Sequence, residues 1–246
     1  MKIEEVIKRN FLYQKKKNFF KFLYFLSQFL KSKIRLKKSY SNWGVDMMAD
    51  FFFKDQKKGF YVDVGCHHPH LNNNTLPLYK RGWNGVNIDL DYSSIDLFNF
   101  FRSRDINIQS AVSNKEDEKD LFFFHDRSAI NTLNQINGKN AKEIKKIKVN
   151  SLNNILDNSN FKDKEIDFLT IDVEGHEVEV LEGLDFSKYK PKLVVLEYIN
   201  RDYKEFHQQN LNLITCSDVY KFMIKKNYKL INWIHDDLVF VIDKLF

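Results

Sequence analysis

Short apolar runs recur from Gly59 onward. "GFYVDVG" (59–65), "GVNIDLD" (85–91), "DINIQSAV" (105–112), "IDFLTIDVEG" (166–175) and "KLVVLEYI" (192–199) are rich in Val, Ile and Phe. Helical patterns lie between several of them, as in "SSIDLFNFFRS" (93–103) and "EVEVLEGLDFSKY" (177–189). Near-continuous apolar strands alternating with helices predict an α/β fold whose parallel sheet is covered on both faces. The C-terminal pattern differs. "YKLINWIH" and "DLVFVID" are separated by almost nothing, which predicts an antiparallel hairpin. Between Val112 and Ile166 the pattern is irregular. It holds two expected strands, "DLFFFH" and "IKKIKVN", and the polar stretch "DRSAINTLNQ"; "SNKEDEKD" reads as a solvated turn.

Residues 1–40 have a different texture. Phe19, Phe22, Leu23, Leu26, Phe29, Leu30 and Ile34 fall near helical spacing, which predicts a helix from Phe19 to Lys33 and a second from Lys2 to Tyr13. The segment holds 12 Lys/Arg and 2 Glu, whereas the whole chain has a net charge of +6. The remainder is therefore mildly acidic. The expected organisation is a basic helical arm, 1–40, and an α/β domain, 41–246. An aromatic helix flanked by lysines suits an anionic membrane surface; packing of its apolar face on the domain is the competing reading. The acidic body makes nucleic acid an unexpected partner.

Two cysteines, Cys66 and Cys216, are too few for a disulfide scaffold and point to a reduced compartment. No 18-residue apolar stretch and no cleavable leader pattern are present. The expected location is cytoplasmic, with peripheral contact at the inner membrane face if the arm binds lipid.

The acids sit at the ends of the expected strands. Asp63 belongs to the first, Asp89 and Asp91 to the second, Asp172 and Glu174 to the fourth and Glu197 to the fifth. In a parallel sheet those ends share the edge at which ligands bind. "DVG" before a turn allows close backbone approach to a ligand, and an acid 26 residues after Asp63 can accept ribose hydroxyls. Dinucleotide and S-adenosylmethionine sites share that pair. With only Gly65 in the turn there is no pyrophosphate cradle, so a ligand without phosphates fits better.

The stretches "GFYVDVGCHHP", "NNTLPLYKRGWNGVNID", "AVSNKE", "SAINTL" and "IDFLTIDVEGHEVEVLEGL" resemble the FkbM family of S-adenosylmethionine-dependent methyltransferases over residues 40–242. "YSNWGVDMM" resembles the family's opening motif, with Asn42 and Val45 where Gln and Glu are usual. The resemblance implies a class I methyltransferase (Rossmann-like) parallel sheet with a C-terminal antiparallel hairpin. It also implies S-adenosyl-L-methionine as cofactor and methylation of a hydroxyl on a sugar, glycan or secondary metabolite. By position, Asp63, Gly65 and His67 would line the methionine part of the cofactor, Asp89 would hold the ribose, and Ser110 and Ala111 would border the adenine. Asn74 and Thr75 would close over it.

Three histidines in "CHHPH" raise a zinc reading. Adjacent side chains cannot all face one ion, and the separated ligand pairs of a closed zinc site are lacking. His70 reads as a turn residue; His68 is left open between turn and acceptor contact. Asp172, Glu174 and His176 are expected to face the cleft together. His176 is the expected general base, oriented by Asp172 or Glu174. The rival is a divalent metal, magnesium or manganese, held by Asp172 and Glu174. Two other functions compete: a membrane-attached scaffold with a degenerate methyltransferase fold, and an RNA methyltransferase using the basic arm. Acceptor selection is expected in residues 121–150 and in the loop after Glu197.

Overall fold

The computed structural model describes residues 17–35, 38–126, 128–198 and 210–243. The chain divides into two compact units, Met1–Lys38 and Ser39–Phe246. In the first, α1 spans Lys17–Arg35 and contains the expected 19–33 helix. Its aromatic spacing forms one stripe, of which Phe22, Phe25, Leu26 and Leu30 are exposed. The helix expected over residues 2–13 lies outside the described residues. Among the described residues, no helix is long and apolar enough to cross a membrane.

The second unit is built on a seven-stranded sheet. Its strands are β1 (Phe60–Val64), β2 (Asn84–Asp89), β3 (Ile106–Gln109), β7 (Phe168–Ile171), β8 (Leu193–Glu197), β9 (Tyr228–Ile234) and β10 (Asp237–Ile242). The order is β3-β2-β1-β7-β8-β10-β9. The first five run parallel, and β10 is antiparallel to both β8 and β9. This is the Rossmann-like methyltransferase sheet, with its parallel core and terminal hairpin. Strands β1, β7 and β8 are buried on both faces up to their last residue, which is why their sequences do not alternate. One face carries Val62, Val64, Ile88, Leu169 and Phe240; the other carries Tyr61, Phe168, Val195 and Val239 against Trp83 and helix α2 (Val45–Phe52).

The segment 105–112 departs from expectation. It is two strands, not one: β3 stops at Gln109, and β4 (Ala111–Ser113) joins a separate sheet of order β4-β6-β5. The break falls at Ser110, whose N–H donates to the Asp89 carbonyl (2.9 Å) and turns the chain off the main sheet. Within the small sheet, β5 (Asp117–Phe123) already begins inside the expected solvated turn, because it pairs antiparallel with β6 (Glu143–Ser151). Charged side chains on these strands are exposed, so composition hid an edge strand.

Beneath the sheet edge lies a buried cation. Arg102, just after helix α4 (Tyr92–Phe101), is fully buried. Its guanidinium donates to the Tyr61 hydroxyl (2.7 Å), Thr75 Oγ1 (2.9 Å), Asn73 Oδ1 (3.3 Å), the Pro69 carbonyl (3.3 Å) and Asp105 (3.1 Å). Asp105 in turn accepts from the Gly85 N–H and Asn87 Nδ2, tying β2 to the same charge. Breaking such a pair leaves a buried charge uncompensated, typically at a cost of about 3–5 kcal/mol. Arg102→Met is therefore expected to lower unfolding free energy by about that amount in urea titration. A loss of under about 1 kcal/mol would show that the sheet does not depend on this tie.

Candidate functional site

The cleft opens where β1, β2 and β7 end. After Val64 the chain turns at Gly65, whose φ of 79° favours glycine. Space demands glycine as well: a Cβ there would lie 1.7 Å from the Asp172 carbonyl oxygen. The Gly65 N–H donates to the Ile88 carbonyl (2.8 Å), and Asp172 N–H donates to the Val64 carbonyl (2.9 Å). Three strand ends are thus stitched into one floor. Two residues on, His67 has φ 46° and its N–H donates to Asp89 Oδ2 (2.8 Å). Asp89 Oδ1 accepts from the Asp91 N–H (2.8 Å). Each oxygen keeps a lone pair for a ligand hydroxyl. Burial raises the Asp89 carboxyl above its ordinary pKa, against those two backbone bonds. Asp91 caps α4 through the Ser94 N–H (2.9 Å), so its carboxylate serves the helix.

Three expected cofactor contacts stand behind the cleft wall. Asp63 is 5% exposed and accepts from Thr75 Oγ1 (3.1 Å) and Asn73 Nδ2 (3.2 Å). Burial pushes its carboxyl up to about 7, although Arg102 pulls the other way. Thr75 is wholly buried between Asp63 and Arg102, and Asn74 Nδ2 donates to Thr170 Oγ1 (3.0 Å). None of the three lines the cavity. Asp63, expected at the methionine subsite, and Thr75, expected over the ligand with Asn74, bond behind the wall, while Asn74 bonds Thr170. They form the inner support of the turn, because Arg102 draws Asp63 and Thr75 inward.

The opposite wall is acidic. Asp172, Glu174 and Glu197 each present an oxygen within 4.8 Å of the others. Asp172 opens to the cleft, and burial by the surrounding protein raises its carboxyl above the usual range. The Glu197 carboxyl is pushed up to about 12, first by burial and then by Asp172, Glu174 and Glu177. Its Oε2 is buried without a hydrogen-bond partner. Burial and like charge thus favour the protonated form of Glu197.

The loop carrying Glu174 is held unusually firmly. Glu174 has φ 59° and Gly175 φ 94°. The Glu174 carbonyl accepts from Thr132 Oγ1 (2.8 Å) and Asn137 Nδ2 (2.7 Å), and the Gly175 carbonyl from Asn134 Nδ2 (2.6 Å). Glu177, opening helix α6 (Glu177–Glu182), accepts from the Val173 and Gly175 N–H groups (3.2 and 3.0 Å). The stretch after Leu121 therefore braces the acidic loop besides lining the cleft with Ser128, Ala129, Asn131, Thr132 and Leu133.

His176 lines the same cleft but does not pair with the expected acids. Its Nε2 lies 3.0 Å from Ser113 Oγ and its Nδ1 3.5 Å from Glu179. Burial lowers its pKa, so the ring is neutral near pH 7. In place of the expected orientation by Asp172 or Glu174, the ring at the N-cap position of α6 meets Ser113 on the small sheet. Of the other histidines, His68 Nδ1 accepts from the His70 and Leu71 N–H groups (both 3.1 Å), and His70 packs edge-on against Phe101.

The cavity brings together Gly65, His67, Asp89, Ser110, Ala111, Asp172, Glu174 and His176 from the expected set. Glu197 and Asn42 join them. Glu197 was visible only as another acid at a strand tip. Ser113 and Glu179 left no signal, because what they hold depends on the small sheet.

Residues 63–230 match the family described as Methyltransferase FkbM domain. No curated protein matches the chain. A TehB-like SAM-dependent methyltransferase from Corynebacterium glutamicum has a solved structure with 10% identity, covering 88% of this chain and 95% of that one, at a TM-score of 0.42. With the family matched over more than half the chain, on the strands and loops that build the cleft, this protein belongs to the FkbM methyltransferases and is S-adenosylmethionine-dependent.

Proposed function

We propose that the chain methylates a hydroxyl oxygen of a sugar, glycan or secondary metabolite, with Asp172 as the base. The observation behind this is the convergence of Asp172, Glu174 and Glu197 within 4.8 Å at the cleft. Bound S-adenosylmethionine supplies the methyl as an electrophile on a positively charged sulfur. The chain's residues do the rest. The Gly65 turn offers a backbone surface on which a Cβ would have no room, suited to close ligand approach. Asp89, fixed by two N–H groups, accepts the ribose hydroxyls, and Ser110 and Ala111 border the adenine. An acceptor hydroxyl must lose its proton as its oxygen attacks, and a positioned base contributes about 10²- to 10⁴-fold. Crowded carboxylates cannot all ionise. Burial and its acidic neighbours favour the protonated form of Glu197, so the hydroxyl proton goes to Asp172, which opens to the cleft. His176 Nε2 is taken up by Ser113 Oγ, and we read the ring as cleft wall.

A divalent metal on the same three oxygens is the second reading, favoured by their mutual distances. Turnover is read as S-adenosylhomocysteine release with sugar and glycan acceptors. Asp172→Asn is expected to lower it by about 10²- to 10⁴-fold and His176→Gln by under about tenfold. The reverse ranking restores His176 as base. Loss of activity on chelation, regained with magnesium, moves the role of Asp172 to metal ligand.

Cofactor affinity should depend on pH. The carboxyls of Asp89 and Asp172 are raised in the free protein, so they carry protons further up the pH scale than usual. A cationic ligand favours their ionised forms. Binding should then release protons, and affinity should increase as pH rises through their range. Calorimetry in buffers of different ionisation enthalpy measures this directly; proton uptake would reverse the sign and refute it. In the same assay Asp89→Ala is expected to weaken S-adenosylmethionine by about 10- to 100-fold.

The arm is read as a contact for anionic membranes. Exposed Phe22, Phe25, Leu26 and Leu30 lie within a segment of 12 bases and 2 acids. Each base near such a surface contributes about 1 kcal/mol. Co-sedimentation with phosphatidylserine vesicles should fall in Phe22→Ser/Leu26→Ser protein and at high salt. Equal pelleting with neutral and anionic vesicles would remove the idea.

A further inference from the structure

The segment before α2 holds a large aromatic side chain open to solvent. Trp43 is 43% exposed, yet its loop is locked. Asp46, fully buried, accepts from Ser39 Oγ (2.7 Å), Ser41 Oγ (2.8 Å) and the Tyr40 N–H (2.6 Å). Ser41 Oγ accepts from the Gly44 N–H (2.9 Å). The indole itself stacks on His235, with ring centroids 3.9 Å apart and planes 18° from parallel. His235 pairs with Asp236 (2.6 Å) at the turn between β9 and β10. Nothing in core packing calls for an indole there, since much of its surface stays wet.

That turn lies at the acidic side of the cleft. Asp237 is the register partner of Glu197, and the Tyr198 N–H donates to the Asp236 carbonyl (2.6 Å). The neighbour of Trp43, Asn42, lines the cavity together with Asp172 and Glu197. In the sheet order, the residues assigned to ribose and adenine belong to the β2 and β3 side, whereas Trp43, His235, Asp236 and Glu197 belong to the β8 and β10 side. That half of the cleft is lined by Asn42, Asp172, Glu174 and Glu197, and the Trp43–His235 stack flanks it as a fixed aromatic plane next to its lining.

We propose that this half is the acceptor subsite and that it takes a pyranose ring bearing no anionic group, stacked on Trp43. The argument rests on the hydroxyl-methylation reading above and deepens it. A pyranose has one face of C–H bonds, whose slight positive charge suits the negative face of an indole. Its hydroxyls donate to carboxylate oxygens, which accept only. Asp172 and Glu174 stand in this half and, among the described residues, the cavity lining holds no Lys or Arg, so a uronic acid or sugar phosphate meets acids and finds no cation to receive it. A platform held by buried hydrogen bonds and ring stacking is ordered before the ligand arrives, which lowers the entropy lost on binding.

The test is saturation-transfer NMR on protein loaded with S-adenosylhomocysteine, with methyl glucoside, galactoside, mannoside and rhamnoside, and methyl glucuronide as the charged control. At least one neutral glycoside should bind, with saturation strongest on one C–H face. Trp43→Ala should weaken it about tenfold, Trp43→Phe should retain most of the affinity, and the glucuronide should not bind. Calorimetry should give the same S-adenosylhomocysteine affinity in all three proteins. Unchanged glycoside affinity in Trp43→Ala, or no glycoside binding to protein that binds S-adenosylhomocysteine normally, overturns the subsite. Turnover on a non-sugar alcohol that ignores Trp43→Ala overturns it too, and leaves hydroxyl methylation standing. Trp43-dependent binding of a methyl glycoside, with methyl delivered only to the nitrogen of an amino sugar, upholds the subsite and refutes the oxygen acceptor.

Discussion

A single guanidinium, buried beneath the sheet edge, sets the positions on which the cleft depends. Arg102 reaches β1 through Tyr61, the turn after β1 through Pro69 and Asn73, and the start of α3 (Leu76–Lys80) through Thr75. Through Asp105 it also reaches β2. A buried positive charge with every donor directed at an oxygen has little freedom to relax. Asp63 is drawn into the same network, which explains why a carboxylate at a strand tip faces inward. The wall of the cleft is thus arranged from behind.

The cleft itself is divided by chemistry. On one side Asp89 is fixed by backbone donors and offers acceptor capacity without crowding. On the other, Asp172, Glu174 and Glu197 crowd one another at the cleft surface, each with an oxygen within 4.8 Å of the others. Crowding separates their proton affinities, and separated affinities give one group that holds a proton beside another that can receive one. The polar stretch after Leu121 preserves this arrangement through Thr132, Asn134 and Asn137, whose side chains hold the Glu174 and Gly175 carbonyls.

Much of this was legible in the sequence. The doubly buried strands announce themselves as unbroken apolar runs, and the terminal hairpin follows from the short gap before Asp237. The acids at strand ends indicated the ligand edge. What stayed hidden was direction. Asp63 and Asp89 look alike as strand-tip acids, yet one faces Arg102 and the other the cleft. No local pattern records which partner a side chain meets when the partner is 39 residues away. The partner of His176 was hidden for the same reason: its neighbours in sequence are acids, but its ring meets Ser113, on a strand of the small sheet. Arg102 gives no signal in the sequence, since a cation closing a helix is ordinary.

The contact between Gly65 and the Asp172 carbonyl has a mechanical meaning. With 1.7 Å separating a notional Cβ from that oxygen, the two loops touch backbone to backbone, with no side chain between them to act as a cushion. A soft spacer would let one half of the cleft shift while the other stayed in place. Here a displacement of the turn after β1 is passed straight to the residue that carries the acidic wall. The Gly65 turn and the Asp172 loop are thus geared together, so the two walls of the cleft move as one.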